Sequence, residues 1–173
     1  MDVVLCSLSA KRLGMLEEDP DLLGELIAAR HEDEIPGMFD LGKTWHALDI
    51  VLGDGADAVL GDAVLARTGA KMKAGSRIKA RLLAPARVAE IAKALSGIGP
   101  SMITDRYPSL YGKQVHGNYG QEICGPNETA YIRESVKKIH ANEIRELEMA
   151  LAGVTALYAS AVGSKQSMMS VIV

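Results

Sequence analysis

The chain has 173 residues, of which 48% are hydrophobic and 24% charged. This composition is typical of a folded domain with its own core and excludes a disordered chain. Two cysteines are too few for a disulfide framework, and no apolar stretch approaches the roughly 18 residues that a membrane span requires. The N-terminus carries an acidic residue where a signal peptide carries a basic one, so we expect a cytoplasmic protein without a membrane partner.

The net charge of −3 is unevenly distributed. Residues 1–40 contain ten acidic and three basic residues, whereas residues 41–113 contain eleven basic and six acidic ones. The two parts can neutralise each other in the fold, or they can form a bipolar surface that steers charged partners. On the second interpretation, the acidic residues Glu32, Asp33 and Glu34 are candidates for binding a basic protein partner.

The first elements in chain order are a strand and two helices. Residues 3–8 are apolar and partly β-branched, which predicts a buried strand. Ser7 or Ser9 can cap a helix that continues to about Glu18. A second helix is predicted from residue 22 to about residue 30, where the sequence becomes acidic and reaches a Pro-Gly turn.

A third helix is predicted from Asp40 to Leu52. Asp40 is placed as its N-cap, and Trp45, Leu48 and Leu52 follow on one apolar stripe. Trp45 is therefore expected to lie in the core.

The second half of the chain predicts a strand at residues 78–83, a helix that begins at Pro85, and a long helix over residues 127–162. The apolar stripe of the long helix shifts phase near residues 140–142, so we expect either a break there or a stripe that rotates between two packing partners. Gly163 is expected to stop this helix, and residues 168–173 predict a closing strand. Together these elements predict one α+β domain over residues 1–173, largely helical, with a small mixed sheet that includes both terminal strands.

His46 is the strongest candidate for a functional side chain. On a helix it lies beside the apolar stripe, and Asp49, one turn later, can fix its tautomer. Three roles stay open: a half-buried histidine bonded to a main-chain carbonyl, a ligand contact, and a catalytic group. Histidine, cysteine and carboxylate residues do not recur at metal-ligand spacing, so we expect neither a metal nor a cofactor.

A basic cluster follows between Arg67 and Arg81, with six basic residues and no acidic one in fifteen positions. A nucleic-acid site usually includes aromatic side chains for base stacking. Between Trp45 and Tyr107 the sequence contains no aromatic residue. The pattern argues against nucleic-acid binding. It fits either a solvated, internally paired face or a site for an anionic partner.

Three of the five tyrosines, Tyr107, Tyr111 and Tyr119, lie in a glycine-rich segment. Tyrosine offers a large amphipathic contact area at low entropic cost and is frequent in protein interfaces. The same residues can instead anchor a loop onto the core, and both interpretations stay open.

The run that contains Asp40, Lys43, Trp45 and His46 resembles the YfbM-like family of small bacterial proteins. The strand, proline and helix pattern at residues 81–91 and the final helix and strand resemble the same family. The resemblance spans nearly the whole chain. It implies an α+β fold and provides no established catalytic residue, since the function of that family is unknown.

These patterns leave two function classes. The first is a non-enzymatic protein-binding module of immunity or regulatory type, with a basic partner and with Tyr111 and Tyr119 among its contacts. The second is an enzyme or binding protein for an anionic small metabolite. Its pocket would be formed by Asp40, Lys43, Trp45, His46, Arg81 and Tyr107. The sequence favours the first class and leaves the oligomeric state open.

Overall fold

The computed structural model describes most of the chain, and its helices and strands alternate in an α+β arrangement. The described residues are 2–29, 36–53, 58–72, 78–99, 101–113, 115 and 130–173. In the last of these ranges, side chains are described from residue 140 onward. The helices are α1 (Ala10–Glu18), α2 (Leu22–Ala28), α3 (Trp45–Gly53), α4 (Pro85–Ser96), α5 (Met102–Arg106) and α6 (Ala130–Gly163). The strands are β1 (Val3–Leu8), β2 (Met38–Asp40), β3 (Ala70–Met72), β4 (Lys79–Leu83) and β5 (Ser167–Ile172).

The five strands form one sheet in the order β2-β1-β5-β4-β3. The two terminal strands are neighbours, as expected, and pair from Val3 with Ile172 to Leu8 with Ser167. Each pairing among these strands is antiparallel, so the expectation of a mixed sheet is corrected. The two edge strands, β2 and β3, have three residues each and were not predicted from the sequence. The largely helical α+β class is confirmed.

Both faces of the sheet are covered, which explains why β1 lacks the usual polar alternation. Val3 and Leu5 belong to a core cluster shared with α3, α4 and α6. Val4, Cys6 and Leu8 belong to a second cluster that contains apolar residues of α1 and α2. The sheet therefore separates a small two-helix layer from a larger helical layer.

The helix predicted from Asp40 begins instead at Trp45. Asp40 is instead the last residue of β2. It pairs with Val4, because the edge of β1 extends far enough to pair with it. Its Oδ1 then accepts a hydrogen bond from the Gly42 amide at 2.7 Å, and Gly42 has a φ of +50°. Asp40 thus shapes the turn before α3 rather than capping the helix. The predicted apolar stripe is confirmed, since Trp45 is only 5% exposed.

Helix α6 runs without interruption through residues 140–142, which excludes the break and leaves the second expected alternative, a stripe that changes packing partner. The change in stripe phase is accommodated because the helix contacts several elements in turn, including α4, α5 and β1. The predicted stop is also shifted. Lys165, with a φ of +53°, takes the left-handed position, and the amide of Gln166 donates to the Ala161 carbonyl at 2.8 Å. Gly163 is the last helical residue.

Candidate functional site

The residues predicted to form one ligand pocket are divided among three places: the start of α3, strand β4 and the segment that begins at Tyr107. Trp45 and His46 are in the first turn of α3, and their rings lie 4.9 Å apart between centroids. Arg81 of β4 donates to the carbonyl oxygens of Arg67 and Gly69, at 2.6 and 3.3 Å, so it braces a loop backbone.

Tyr107 is fully buried, and its hydroxyl donates to Glu143 of α6. Asp40 forms the turn described above, and Lys43 lies in the same turn.

Asp49, one turn from His46 on α3, is a buried carboxyl with a perturbed pKa. Its side chain is 6% exposed, and Oδ2 accepts a hydrogen bond from Arg67, which itself is 51% exposed. Among the described residues, Oδ1 is buried without a hydrogen-bond partner. Burial raises the pKa of Asp49, and the hydrogen bond and charge of Arg67 and the charge of His46 oppose this effect only in part. Asp49 is therefore a buried carboxyl that the fold holds in a state easier to protonate than usual.

Asp62 forms a second buried carboxylate, and it is fully satisfied. The Thr68 amide donates to its Oδ1 at 3.0 Å, and the Thr68 hydroxyl and the Arg87 guanidinium donate to Oδ2. Burial opposes the ionisation of Asp62, but these hydrogen bonds outweigh it and hold the pKa below its usual range. Arg87 also reaches Glu90 of the same helix. This arrangement ties α4 to the loop that carries Arg67.

Two buried hydroxyl groups hold the main chain just before this loop in place. The buried Tyr158 hydroxyl donates to the Ala63 carbonyl at 3.1 Å, and the buried Ser170 hydroxyl donates to the Val64 carbonyl at 2.7 Å. Burial also raises the pKa of Tyr158, so this hydroxyl stays protonated. Arg67 is thus presented to Asp49 by a segment that α6 and β5 hold in place.

Tyr107 belongs to an aromatic cluster between the Tyr107–Leu110 segment, a 3-10 helix, and α6. His140 stacks on Tyr111 with centroids 5.4 Å apart and meets the Tyr107 ring edge-on at 5.1 Å. Burial, followed by the hydrogen bond to Glu143, raises the pKa of Tyr107. Tyr111, His140 and Glu143 are each partly exposed, so this cluster reaches the surface.

Of the residues predicted to bind a partner, Tyr111 is the one that the structure describes. Glu32, Asp33, Glu34 and Tyr119 lie outside the described residues.

Several residues of these networks were not predicted from the sequence, among them Asp62, Arg87, His140 and Glu143. The sequence does contain a signal for Asp62, because a single carboxylate in the apolar stretch from Ala58 to Leu65 indicates a buried, hydrogen-bonded group. His140 and Glu143 stand three residues apart on a helix, which places them on adjacent positions of one face.

Within the described ranges, His, Cys, Asp and Glu side chains do not gather in groups of three that could hold a metal ion. The buried thiol of Cys6 has a pKa of about 12, raised by burial, so it is held as an unreactive thiol. Across the same ranges, no helix combines the length and the apolar character needed to cross a membrane.

Comparison with solved structures supports the fold. The crystal structure of YfbM from Escherichia coli, a protein of unknown function, aligns with a TM-score of 0.63 at 12% sequence identity and covers 100% of both chains. At this identity the likeness shows a shared fold alone. No curated protein sequence matches this chain.

One protein-family model matches nearly the whole sequence. The model of the family described as "Domain of unknown function (DUF1877)" matches residues 1–171. The expected resemblance to YfbM is therefore confirmed at the level of both family and fold. This chain belongs to the DUF1877 family.

Proposed function

We propose that this protein is a non-enzymatic protein-binding module whose partner is basic. The binding surface would be centred on Tyr111, His140, Glu143 and Glu146, which we call the tyrosine–histidine face. The observation that carries the proposal is the Tyr111–His140 stack, because it presents two partly exposed rings in a fixed orientation beside carboxylates. Rigid aromatic anchors of this kind are frequent at the energetic centre of protein interfaces.

The cluster supports a pre-organised surface. Tyr107 lies beneath the stack, and its hydroxyl is bonded to Glu143, which fixes that carboxylate relative to the two rings. A side chain that is already ordered loses little conformational entropy on binding. Tyr111 and His140 therefore suit a recognition role better than mobile surface residues do.

Charge on the adjoining part of α6 supports a basic partner. Residues 143–148 contain Glu143, Glu146 and Glu148 against the single base Arg145. Glu146 and Arg145 are exposed, and Glu143 lies one turn from Glu146. A negative field next to aromatic anchors attracts a cationic partner and accelerates its association.

A second function is favoured by one observation at the other network. His46 and Asp49 lie on one helix, and the half-exposed guanidinium of Arg67 reaches Asp49. The exposed part of the Arg67 guanidinium, which Asp49 holds in place, can form charge-assisted hydrogen bonds with an anionic metabolite. This site would bind a phosphorylated or carboxylated small molecule.

Affinity capture from an extract of the source organism tests the first proposal. Wild type, Tyr111→Ala and Glu146→Lys would be used in parallel with Glu17→Lys, which makes the same charge change on exposed α1 across the sheet. We expect a basic protein that is retained by wild type and by Glu17→Lys, is lost with Tyr111→Ala, and is captured in smaller amount by Glu146→Lys. Equal retention by all four proteins, or an acidic partner, would contradict the proposal.

NMR titration tests the second function. Wild type and His46→Gln would be titrated with a panel of phosphorylated and carboxylated metabolites. Shifts near Asp49 and Arg67 that are present in wild type and lost in the variant would support the anion site. Identical shifts in both proteins, or none in either, would exclude it.

A further inference from the structure

The solvent-facing side of α6 contains a long segment without charge. The sixteen residues from Met149 to Ser164 include no acidic or basic side chain. Exposed helix faces in proteins are normally charged or polar. Two large apolar side chains are nevertheless exposed here, Met149 at 60% and Val162 at 39%.

Five exposed residues of this segment form one regular stripe, which we call the small-residue face. They are separated by steps of three, four, three and four residues along the helix, the spacing by which one helix contacts another along a seam. Four of the five are alanine or glycine, which lets two helix backbones approach closely. The face consists of Met149, Ala152, Ala156, Ala159 and Gly163.

A groove lies along one side of this face. It has a volume of about 600 Å³ and is bounded by Leu95 near the end of α4 and by Ile98 and Gly99, which follow that helix. Its α6 wall includes Ala152, Ala156 and Ala159. The middle of the small-residue face is therefore one wall of a mostly apolar trough, and an amphipathic or apolar helix is the kind of element that binds in such a trough.

We propose that this trough is occupied by α6 of a second copy of the chain, packed antiparallel about a two-fold axis near Ala156. In that arrangement the largest residue of the stripe, Met149, meets the smallest, Gly163 of the second copy. A parallel arrangement would instead set Met149 against Met149 and leave a gap between the two glycines. The size gradient along the stripe thus fits an antiparallel pair.

The charges at the two ends of the segment match the same arrangement. Glu148 borders it on one side and the exposed Lys165 on the other. An antiparallel pair brings Glu148 of each copy next to Lys165 of the other, which forms two equivalent ion pairs. A parallel pair would bring like charges together at each end. The small-residue face is therefore complementary to itself in both size and charge, which is what a symmetric dimer requires.

The small-residue face shares no residue with the tyrosine–histidine face, although Glu148 lies between the two, and the dimer does not depend on the proposed partner. Sedimentation velocity over a range of protein concentrations tests it. We expect wild type to be a dimer and Ala156→Arg to dissociate at least about a hundredfold more easily, since two arginines would meet at the axis. Ala28→Arg, on exposed α2 across the sheet, is the matched control and should remain dimeric.

A charge exchange makes the test specific for the antiparallel geometry. Glu148→Lys and Lys165→Glu should each raise the dissociation constant about tenfold, because each replaces two ion pairs with two like-charge pairs. The double variant should return to the wild-type value. Circular dichroism melting of every variant verifies its folding. A monomeric wild type, a dimer that Ala156→Arg leaves unchanged, or a double variant as weak as the singles would overturn the proposal.

Discussion

Replacement of Gly153 by alanine tests how closely β2 approaches α6. In the interior of an exposed helix this change normally stabilises a protein by up to about 1 kcal/mol, since alanine is the better helix former. A Cβ at Gly153, however, would overlap the ring of Phe39 on β2, closer than van der Waals contact to Cζ and Cε2 and 2.9 Å from Cε1. Phe39 packs against the core, so its ring can move only by disturbing that packing.

The expected loss can be worked out from these two opposing effects. Forcing an extra methyl group into a packed site costs about 1–3 kcal/mol, and the helix-propensity gain returns up to about 1 kcal/mol. Because the overlap with the Phe39 ring is severe, the cost lies in the upper part of this range, about 2–3 kcal/mol, and Gly153→Ala should lower the free energy of unfolding by about 1–2 kcal/mol. For a domain of this length that corresponds to a fall in Tm of roughly 2–8 °C.

Gly14→Ala is the matched control, because Gly14 lies inside α1 and nothing comes within 4 Å of the position of its Cβ. It should stabilise the protein by about 0.5–1 kcal/mol. Urea unfolding monitored by circular dichroism measures both variants, and Gly153→Ala would be repeated in a Phe39→Leu background. A Gly153→Ala variant as stable as Gly14→Ala, or a loss that Phe39→Leu does not relieve, would refute this reasoning.

Three further predictions concern buried side chains. Trp45→Ala should cost about 3–5 kcal/mol in urea unfolding, and a loss below about 1 kcal/mol would contradict the buried position of the ring. Asp62→Asn should cost about 1–3 kcal/mol at neutral pH, because it removes the acceptor of Arg87 and Thr68. The lowered pKa of Asp62 means that its stabilisation is present at neutral pH and is lost as the pH falls through that pKa, so an equal cost in acid would contradict this role. The pH dependence of stability that Asp49 contributes has the opposite sign. Its raised pKa means that stability is lost as the pH rises through that pKa. Asp49→Asn should abolish this loss in thermal melts across the acid range, and an unchanged pH dependence would contradict it.

Local patterns were sufficient for the parts of the fold that depend on neighbours in sequence. The continuous apolar run at residues 3–8 and the periodic stripe through Trp45 and Leu52 are both local signals, and both describe the structure well. The edge strands β2 and β3 could not be found in this way. Each has three residues, and each forms because a longer strand beside it offers unpaired main-chain groups.

The start of α3 shows how tertiary pairing overrides a local preference. Asp40 has the chemistry of an N-cap, but pairing with Val4 holds it in an extended strand, and the helix begins five residues later. The continuous course of α6 is a similar case. Packing against several elements in turn removes any need for a break where the apolar stripe changes phase.

The candidate sites depend even more on long-range contacts. The sequence relates Asp49 to His46, one turn away, but the partner of Asp49 is Arg67, eighteen residues further along the chain. Arg67 seemed from sequence to be one member of a basic cluster. In the same way, Tyr107 and Glu143 are thirty-six residues apart, and no spacing rule connects a loop tyrosine to a helix carboxylate over that distance.

The association rate of the captured basic partner, measured as a function of salt concentration, tests most directly whether the tyrosine–histidine face binds it. We predict that the rate falls steeply as salt increases and that Glu146→Lys lowers it while leaving the dissociation rate nearly unchanged. Glu17→Lys should associate as fast as wild type. An association rate that is independent of salt, or one that the two variants lower equally, would contradict the assignment of binding to this face.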